Sequence, residues 1–210
     1  MGFSNILARQ LAEPRGIWGT LCGAAMDLAN RVPMQMAVDL LAPVAGETVL
    51  DAGCGTGAAS EEMLRRAACS IIAVDQSAAM IRRARARLTK PGLPGQVDLH
   101  QATLESLPCR PGSIDAALAL NILYFCGKDG GMIAALRHAL RPGGRLVAYV
   151  THRQVMEKWS FTRAGFHRLY DAQELRTAFE DAGFEPAAIT IEAKSVAPGV
   201  QGLFARAIAA

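Results

Sequence analysis

The sequence predicts an α/β fold with a doubly wound, mostly parallel sheet and helices on both faces. From Glu47 to about Val150, short strand-like runs alternate with longer helical ones. Several of these runs are apolar on both faces, as strands buried between two layers of helices are. The first run leads through a glycine-rich loop directly into a helix, which is typical of the edge where such sheets bind ligands.

Each predicted element depends on its own apolar pattern and on the residues that flank it. Strands are predicted at 48–51, 70–75, 97–100, 114–120 and 145–150. Helices are predicted between them at 58–68, 78–88 and 132–140, and Arg-Pro-Gly-Gly at 141–144 ends the last of these. A helix that includes 38–41 precedes the sheet. After the sheet we expect a helix at 172–182 and two more strands at 188–192 and 203–208.

Composition excludes several classes of protein. Hydrophobic residues make up 51% and charged residues 20% of the 210 positions, which is typical of a globular chain. The formal net charge of +3 is too small to indicate a nucleic-acid partner. No apolar run has the length of a membrane span, and polar residues interrupt the N-terminal apolar residues, unlike a secretory signal. We therefore expect a cytoplasmic protein that does not insert stably into membranes.

The five cysteines are widely spaced and form no CxxC pair. An odd number without paired spacing indicates neither a disulfide framework nor a zinc site. We expect reduced thiols and no bound metal.

The glycine-rich loop is the central functional signal. Residues 49–57 read VLDAGCGTG, with glycines at 53, 55 and 57 and an acid at 51. Glycine tolerates positive φ and lets the backbone approach a ligand closely, although a glycine pattern alone also fits a plain tight turn. In the dinucleotide fingerprint G-x-G-x-x-G the third glycine comes one residue later. A carboxylate before the loop would repel a pyrophosphate and suits a ligand that carries positive charge.

A second acid, Asp75, ends the next predicted strand. A carboxylate in that place can accept hydrogen bonds from both hydroxyls of a ribose. A ligand with a ribose, no phosphate and a positive centre is S-adenosylmethionine.

These segments resemble a known family. VLDAGCGTG followed by IIAVDQS is similar to the first two motifs of the class I S-adenosylmethionine-dependent methyltransferases, in their small-molecule branch. Later stretches resemble the family in the same order: LESLPCRPGSIDAALALNILYF, ALRHALRPGGRLVAYV and LYDAQELRTAFEDAGF. The resemblance extends over residues 14–208. It implies a Rossmann-like, seven-stranded sheet with an antiparallel last strand, and methyl transfer from S-adenosylmethionine to a small acceptor, with S-adenosylhomocysteine as product.

The resemblance also implies which residues bind the cofactor: Asp51, Gly53, Cys54, Gly55, Gly57, Asp75, Gln76, Met80, Thr103, Leu104 and Asn121. Asp51 would approach the methionine part, the glycines would pass under the cofactor, and Asp75 would hold the ribose. Thr103 stands where many relatives have an aspartate that binds the adenine amino group, so the backbone around Leu104 would contribute more there. Other interpretations stay open: Asp51 as a loop cap, Met80 as core, and Asn121 as a buried amide that satisfies a turn.

Two residues are candidates for catalysis on the acceptor side. His152 follows the fifth predicted strand and is the best general-base candidate, because histidine takes up a proton near neutral pH. Tyr124 follows the fourth strand and either lines the acceptor pocket or belongs to the core. A base is needed only if the acceptor arrives protonated, since the transfer otherwise depends on positioning.

We divide the chain into an N-terminal helical lid segment, 1–30, and a cofactor-binding domain, 31–210, in which 151–170 is an acceptor-site insertion. The apolar residues Ile17, Trp18 and Leu21 and the aromatic content of the insertion predict a small, partly hydrophobic acceptor, unless these residues only cover the sheet edge. The alternatives are a non-catalytic regulatory protein that binds S-adenosylmethionine or S-adenosylhomocysteine, and a lipid or quinone methyltransferase. A nicotinamide-dependent oxidoreductase is disfavoured by the glycine spacing and Asp51.

Overall fold

A computed structural model describes residues 27–89, 92–127, 130–159, 162 and 167–210. Most of the predicted lid segment, with Ile17, Trp18 and Leu21, lies outside the described residues. The predicted insertion is described at 151–159, 162 and 167–170.

Seven strands form one sheet. In chain order they are β1 (Thr48–Ala52), β2 (Ser70–Asp75), β3 (Gln96–Gln101), β4 (Ile114–Leu120), β5 (Leu140–Thr151), β6 (Ile189–Ala197) and β7 (Val200–Ile208). Their order across the sheet is β3-β2-β1-β4-β5-β7-β6. The pairs from β3 to β5 are parallel, whereas β7 is antiparallel to both β5 and β6. The predicted fold class is therefore confirmed, including the antiparallel last strand.

The described helices are α1 (Arg31–Leu41), α2 (Ala58–Arg66), α3 (Ala78–Leu88), α4 (Gly131–Ala139), α5 (Arg153–Met156) and α6 (Ala172–Asp181). Short 3₁₀ turns occur at Leu123–Phe125 and Pro186–Ala188. One face of the sheet packs on α1, α2 and α3, and the other on α4 and α6, so the core has two layers. Among the described residues, no helix combines the length and the apolar character that crossing a membrane requires.

The fifth strand begins earlier than its apolar pattern predicts. Leu140 already pairs with Ile114, and a register shift separates that pair from the regular ladder. Gly143 donates its N–H to Ala209, and Ala209 donates its own to Gly144, both at 2.8 Å. The Arg-Pro-Gly-Gly segment is thus a bulged entry into β5 and not a separate turn, because its backbone bonds continue the sheet.

The strand order places a ligand-binding edge beside β1. The chain runs from β1 outward through β2 to β3, then returns to the other side of β1 as β4. At such a switch point the loops that follow the two neighbouring strands diverge and leave a crevice at their carboxyl ends. The loops after β1, β2 and β4 all open at this edge.

Arg145 on β5 fixes the end of α1 to the sheet. Its guanidinium donates to both carboxylate oxygens of Glu47 at 2.7 Å, to the Leu41 carbonyl at 2.6 Å and to the Ala42 carbonyl at 2.9 Å. The pair with Arg145 holds the pKa of Glu47 below its usual value. Ala42 ends α1 in the left-handed region, with φ of 48°, and leaves carbonyls that need donors.

We expect Arg145→Met to lower the free energy of unfolding by about 2–4 kcal/mol, because it removes the charged donor from two carbonyls and leaves Glu47 with only the Val44 N–H. Urea denaturation at pH 7 measures the loss. Arg141→Met is the matched control: Arg141 pairs with Asp115, but its side chain is 51% exposed. That substitution should change stability by less than about 1 kcal/mol. Equal losses in the two variants would contradict the assigned role of Arg145.

Candidate functional site

The glycine loop after β1 passes close to the end of β4 and leaves open space at its centre. Gly53 has φ of 73°, and a Cβ there would lie 2.3 Å from a methyl carbon of Ile122. Gly55 has φ of 53°, and a Cβ there would meet no heavy atom within 4 Å. Only glycine allows the backbone at 53 to lie so close to Ile122. At 55 the absence of a side chain leaves backbone that a ligand can approach.

Asp75, the last residue of β2, is bonded to this loop. One carboxylate oxygen accepts the Gly55 N–H at 3.0 Å, and the other accepts the Ser77 N–H at 2.8 Å. Burial raises the pKa of Asp75, and these two hydrogen bonds oppose that rise. A carboxylate oxygen can accept more than one hydrogen bond, so both oxygens still have capacity for a ligand.

Asp51 is buried within β1, with only 2% of its surface exposed. Ser60 at the start of α2 donates a hydroxyl hydrogen bond to it at 2.5 Å. Burial raises its pKa to about 6, the charge of Asp75 adds to the rise, and the Ser60 bond opposes it. A carboxylate held in this way is stabilised by a ligand that brings positive charge.

A cavity of about 280 Å³ opens above the loop, at the carboxyl ends of β1, β2 and β4. The charged residues in its described lining are all acidic: Asp27, Asp51, Asp75 and Glu105. Apolar side chains line much of the remainder: Met34, Met80, Leu104, Leu120, Ile122, Phe125 and Met132. Such a lining disfavours a pyrophosphate and favours a cationic ligand with apolar parts.

Ten of the predicted cofactor residues line this cavity: Asp51, Gly53, Cys54, Gly55, Asp75, Gln76, Met80, Thr103, Leu104 and Asn121. Gly57 is not part of the lining. It precedes α2 with φ of 77°, and a Cβ there would lie 3.2 Å from Ala84 of α3. Gly57 therefore allows close packing of the loop against α3.

Neither predicted catalytic residue lines the cavity. His152 precedes α5, and its Nδ1 accepts the Gln154 N–H at 3.2 Å, so the imidazole caps a helix. Tyr124 is buried, and burial raises the pKa of its phenol above the ordinary value. Its hydroxyl accepts the Thr151 N–H and donates to Asn121 at 3.1 Å. The 3₁₀ turn directs Tyr124 into the core, where it holds Asn121 without reaching the cavity.

The sequence did not indicate two polar residues that precede α1. Asp27 accepts a hydrogen bond from Thr56 in the glycine loop at 2.7 Å and pairs with Arg87 at 2.6 Å. Asn30 accepts one from Asn121 at 2.8 Å, across 91 positions of sequence. Both residues line the cavity. No local pattern marks contacts between such distant segments.

Comparisons with known proteins show which family and which folds the chain resembles. The family model described as a methyltransferase domain matches residues 49–144, from β1 into β5. Residues 49–144 belong to the methyltransferase domain family. The predicted methyltransferase family is confirmed over these residues. Within the described parts of the chain, no group of three or more His, Cys, Asp or Glu side chains could hold a metal ion.

Curated relatives include ubiquinone biosynthesis O-methyltransferases. The protein of Methylocella silvestris is 31% identical over 123 residues, 59% of this chain and 46% of its own length. That of Azotobacter vinelandii is 35% identical over 104 residues, 49% of this chain and 44% of its own length. The chain thus spans about half the length of these curated relatives.

Solved structures share the fold of the methyltransferase domain. Geranyl diphosphate C-methyltransferase from Streptomyces coelicolor A3(2) matches with a TM-score of 0.69 and 18% identity, over 85% of this chain and 77% of that one. Phosphoethanolamine N-methyltransferase 2 of Haemonchus contortus, in complex with S-adenosylmethionine, matches with a TM-score of 0.69 and 14% identity, over 84% and 52%. At these identities the likeness establishes the fold.

The raised pKa of Asp51 predicts a specific pH dependence of stability. The folded protein holds a proton on Asp51 up to about pH 6, whereas the unfolded chain releases it near pH 4. Between these values the folded state binds more protons, so the contribution of Asp51 to the free energy of unfolding falls as pH rises. We expect Asp51→Asn, which keeps an acceptor for Ser60, to be about 2 kcal/mol more stable than wild type at pH 8.

Chemical denaturation from pH 3.5 to pH 8 tests this expectation. The difference between variant and wild type should be small below pH 4 and should grow up to about pH 6. Asp98→Asn is the control, since Asp98 lies on β3 with its side chain 72% exposed. If Asp51→Asn is less stable than wild type at pH 8, burial of the ionised Asp51 carboxylate does not destabilise the folded protein as we expect.

Proposed function

We propose that this chain transfers the methyl group of S-adenosylmethionine to a small, partly hydrophobic acceptor. One observation carries the proposal: the charged residues in the described cavity lining are all acidic, and the cavity lies over a glycine loop. A ligand with a positive centre and no phosphate suits that lining, whereas a nicotinamide dinucleotide, with its pyrophosphate, does not.

The described residues fit such a cofactor. Gly55 offers open backbone where a side chain would fill the space. The two Asp75 oxygens, each already holding one backbone N–H, still have capacity to accept the ribose hydroxyls. Asp51 comes just before the loop and lines the cavity. Its carboxylate suits the positively charged methionine part of the cofactor. Met80 and Leu104 provide apolar surface for the adenine ring of the cofactor.

Positioning and water exclusion are the contributions that this site makes to the reaction. When bound, S-adenosylmethionine supplies a methyl group activated by its positive sulfur for in-line displacement. Ile122 and Phe125 follow β4 and line the cavity, so apolar surface lies beside the glycine loop. The His152 imidazole caps α5. In this proposal the acceptor is held and aligned, and no step requires the His152 imidazole as a base.

A lipid or quinone acceptor is the second candidate. It is supported by the relatives named for O-methylation in ubiquinone biosynthesis. The apolar lining at Met34, Phe125 and Met132 suits either class of acceptor. A catechol with an apolar tail and its untailed analogue, compared by S-adenosylhomocysteine release, separate the two.

We expect wild-type protein to bind S-adenosylhomocysteine in calorimetric titrations and to show no heat with NADH. Asp75→Ala should weaken that binding by about 2 kcal/mol, because the ribose loses charge-assisted acceptors. Asp98→Ala, one strand further out and exposed, is the matched control and should bind normally. NADH binding without S-adenosylhomocysteine binding would reverse the proposal, and unchanged affinity in Asp75→Ala would remove Asp75 from the ribose site.

Gly55→Val should abolish S-adenosylhomocysteine binding, because its side chain would project into the open space above the loop. Gly46→Val is the control: Gly46 also has positive φ, 85°, and open space around it, but lies in the exposed turn before β1. In both variants a valine adopts positive φ, which costs about 1–3 kcal/mol of stability. The two variants should therefore differ in S-adenosylhomocysteine binding and not in stability. If calorimetry finds equal affinities for the two folded variants, the loop is not the floor of the cofactor site.

A further inference from the structure

A directed chain of hydrogen bonds crosses the site from β5 to the residue before α1. The Thr151 backbone N–H can only donate, so the Tyr124 oxygen accepts from it. The phenol hydrogen is then donated to Asn121 Oδ1 at 3.1 Å. With its oxygen so used, Asn121 turns its Nδ2 toward Asn30 Oδ1, at 2.8 Å. We call these four residues the amide relay.

The relay fixes which way both amides point. Oxygen and nitrogen of an asparagine amide are often assigned from the network alone, and here the phenol hydrogen of Tyr124 needs an acceptor, which the Asn121 oxygen provides. Within the described part of the chain, the hydrogen bonds of the relay use one amide hydrogen of Asn121 and the amide oxygen of Asn30. The amide hydrogens that remain are donors, and both residues line the cavity. This wall of the cavity therefore offers donors to a ligand.

Two features show that the arrangement differs from ordinary turn chemistry. Asn30 occupies the position before α1 where asparagine usually caps a helix, yet its side chain makes no cap bond. Asn121 has φ of 58°, a left-handed conformation that asparagine tolerates better than most residues. Glycine would suit that backbone equally well, but it has no amide. Asparagine at 121 thus combines the required conformation with a hydrogen-bond donor.

We propose that Asn121 and Asn30 bind the oxygen atom that accepts the methyl group, and that the acceptor is an uncharged, apolar molecule with a phenol-type hydroxyl. This inference rests on the proposed function and specifies its substrate class. The donors stabilise negative charge on the oxygen, and Ile122 and Phe125, which follow in the same turn, provide apolar surface for the ring.

The reaction balances without a further reagent. The acceptor hydroxyl releases its proton to bulk water as it binds, before the site excludes water, and a lone pair of the resulting oxyanion forms the new bond to the methyl carbon. The carbon–sulfur bond breaks with its electron pair left on sulfur, which gives the methyl ether and S-adenosylhomocysteine. Tyr124 is a positioning residue in this scheme, because it acts only through Asn121.

The test uses 4-nitrophenol, which absorbs strongly in the visible range only as the phenolate, bound to the protein with S-adenosylhomocysteine. The ratio of phenolate to phenol affinity follows from spectrophotometric titrations across pH. We expect Asn121→Gly, which suits the positive φ, to lower phenolate affinity about tenfold, as loss of a hydrogen bond to a charged group predicts. Tyr124→Phe should lower it severalfold, because the amide is then free to turn over.

Tyr149→Phe is the matched control. Its hydroxyl is also buried and contacts the Thr151 side-chain oxygen at 3.3 Å, whereas Tyr149 holds Asn121 only through its backbone carbonyl, which accepts the Asn121 N–H at 3.0 Å and is kept in the variant. That variant should keep the wild-type phenolate affinity. Calorimetry with S-adenosylhomocysteine on wild type and every variant tests the proposed function separately from this inference. If wild type does not bind S-adenosylhomocysteine, the proposed function is overturned. Binding of S-adenosylhomocysteine with no bound phenolate, or with equal phenolate affinity in wild type and Asn121→Gly, overturns this inference alone.

Discussion

Two carboxylates at the ends of neighbouring parallel strands set the requirements for the rest of this site. Asp51 and Asp75 face the same cavity, and each has its pKa raised chiefly by burial. Neutral donors hold them: a serine hydroxyl on Asp51, and the N–H groups of Gly55 and Ser77 on Asp75. Neutral donors reduce the cost of burying a charge without cancelling it, so the cavity keeps a negative potential that favours a cationic ligand.

The glycine loop follows Asp51 and is hydrogen-bonded to Asp75. The positions of the two carboxylates therefore constrain the shape of the loop. The N–H groups of Gly53 and Cys54 both donate to the Val74 carbonyl, at 2.8 and 2.9 Å, and Gly55 donates to Asp75. These bonds fold the loop against the end of β2. The same fold brings Gly53 against Ile122, which leaves no room for a side chain. Cofactor geometry and sheet packing therefore depend on the same three peptide units.

The sequence predicted those features that local patterns encode. The bounds of β2, β4 and α3 match the prediction residue for residue, because apolar periodicity and flanking residues determine each of them. Ten of the residues that the family resemblance implied for the cofactor line one cavity, because parallel strands all end at one edge, so position along a strand fixes position in the fold. The early start of β5 was missed, since its extra length depends on pairing with Ile114 and Ala209, which are distant in sequence.

Side-chain direction in the loops was the harder problem. Tyr124 and His152 both follow strands that end at the ligand edge, which is why the sequence favoured them for catalysis. The 3₁₀ turn directs Tyr124 into the core, and α5 uses His152 as a cap. The contact between Asn30 and Asn121 was invisible for a different reason: it joins segments whose proximity only the completed fold creates. In the proposed function these residues belong to the acceptor side, so a sequence of this kind indicates its cofactor more readily than its acceptor.

In the proposed function, the separation of charged and neutral groups explains how one small cavity accommodates a cationic cofactor and an uncharged acceptor. A lysine or arginine placed to bind an acceptor oxygen would also pair with Asp51 or Asp75 and weaken the field that attracts the cofactor. Arg87 pairs with Asp27 and Glu61 and not with Asp51 or Asp75, so it leaves those two carboxylates without a cationic partner. Amide donors stabilise an oxygen without supplying a competing charge. The proposed donor wall of Asn121 and Asn30 is therefore a form of acceptor recognition that is compatible with the two buried carboxylates.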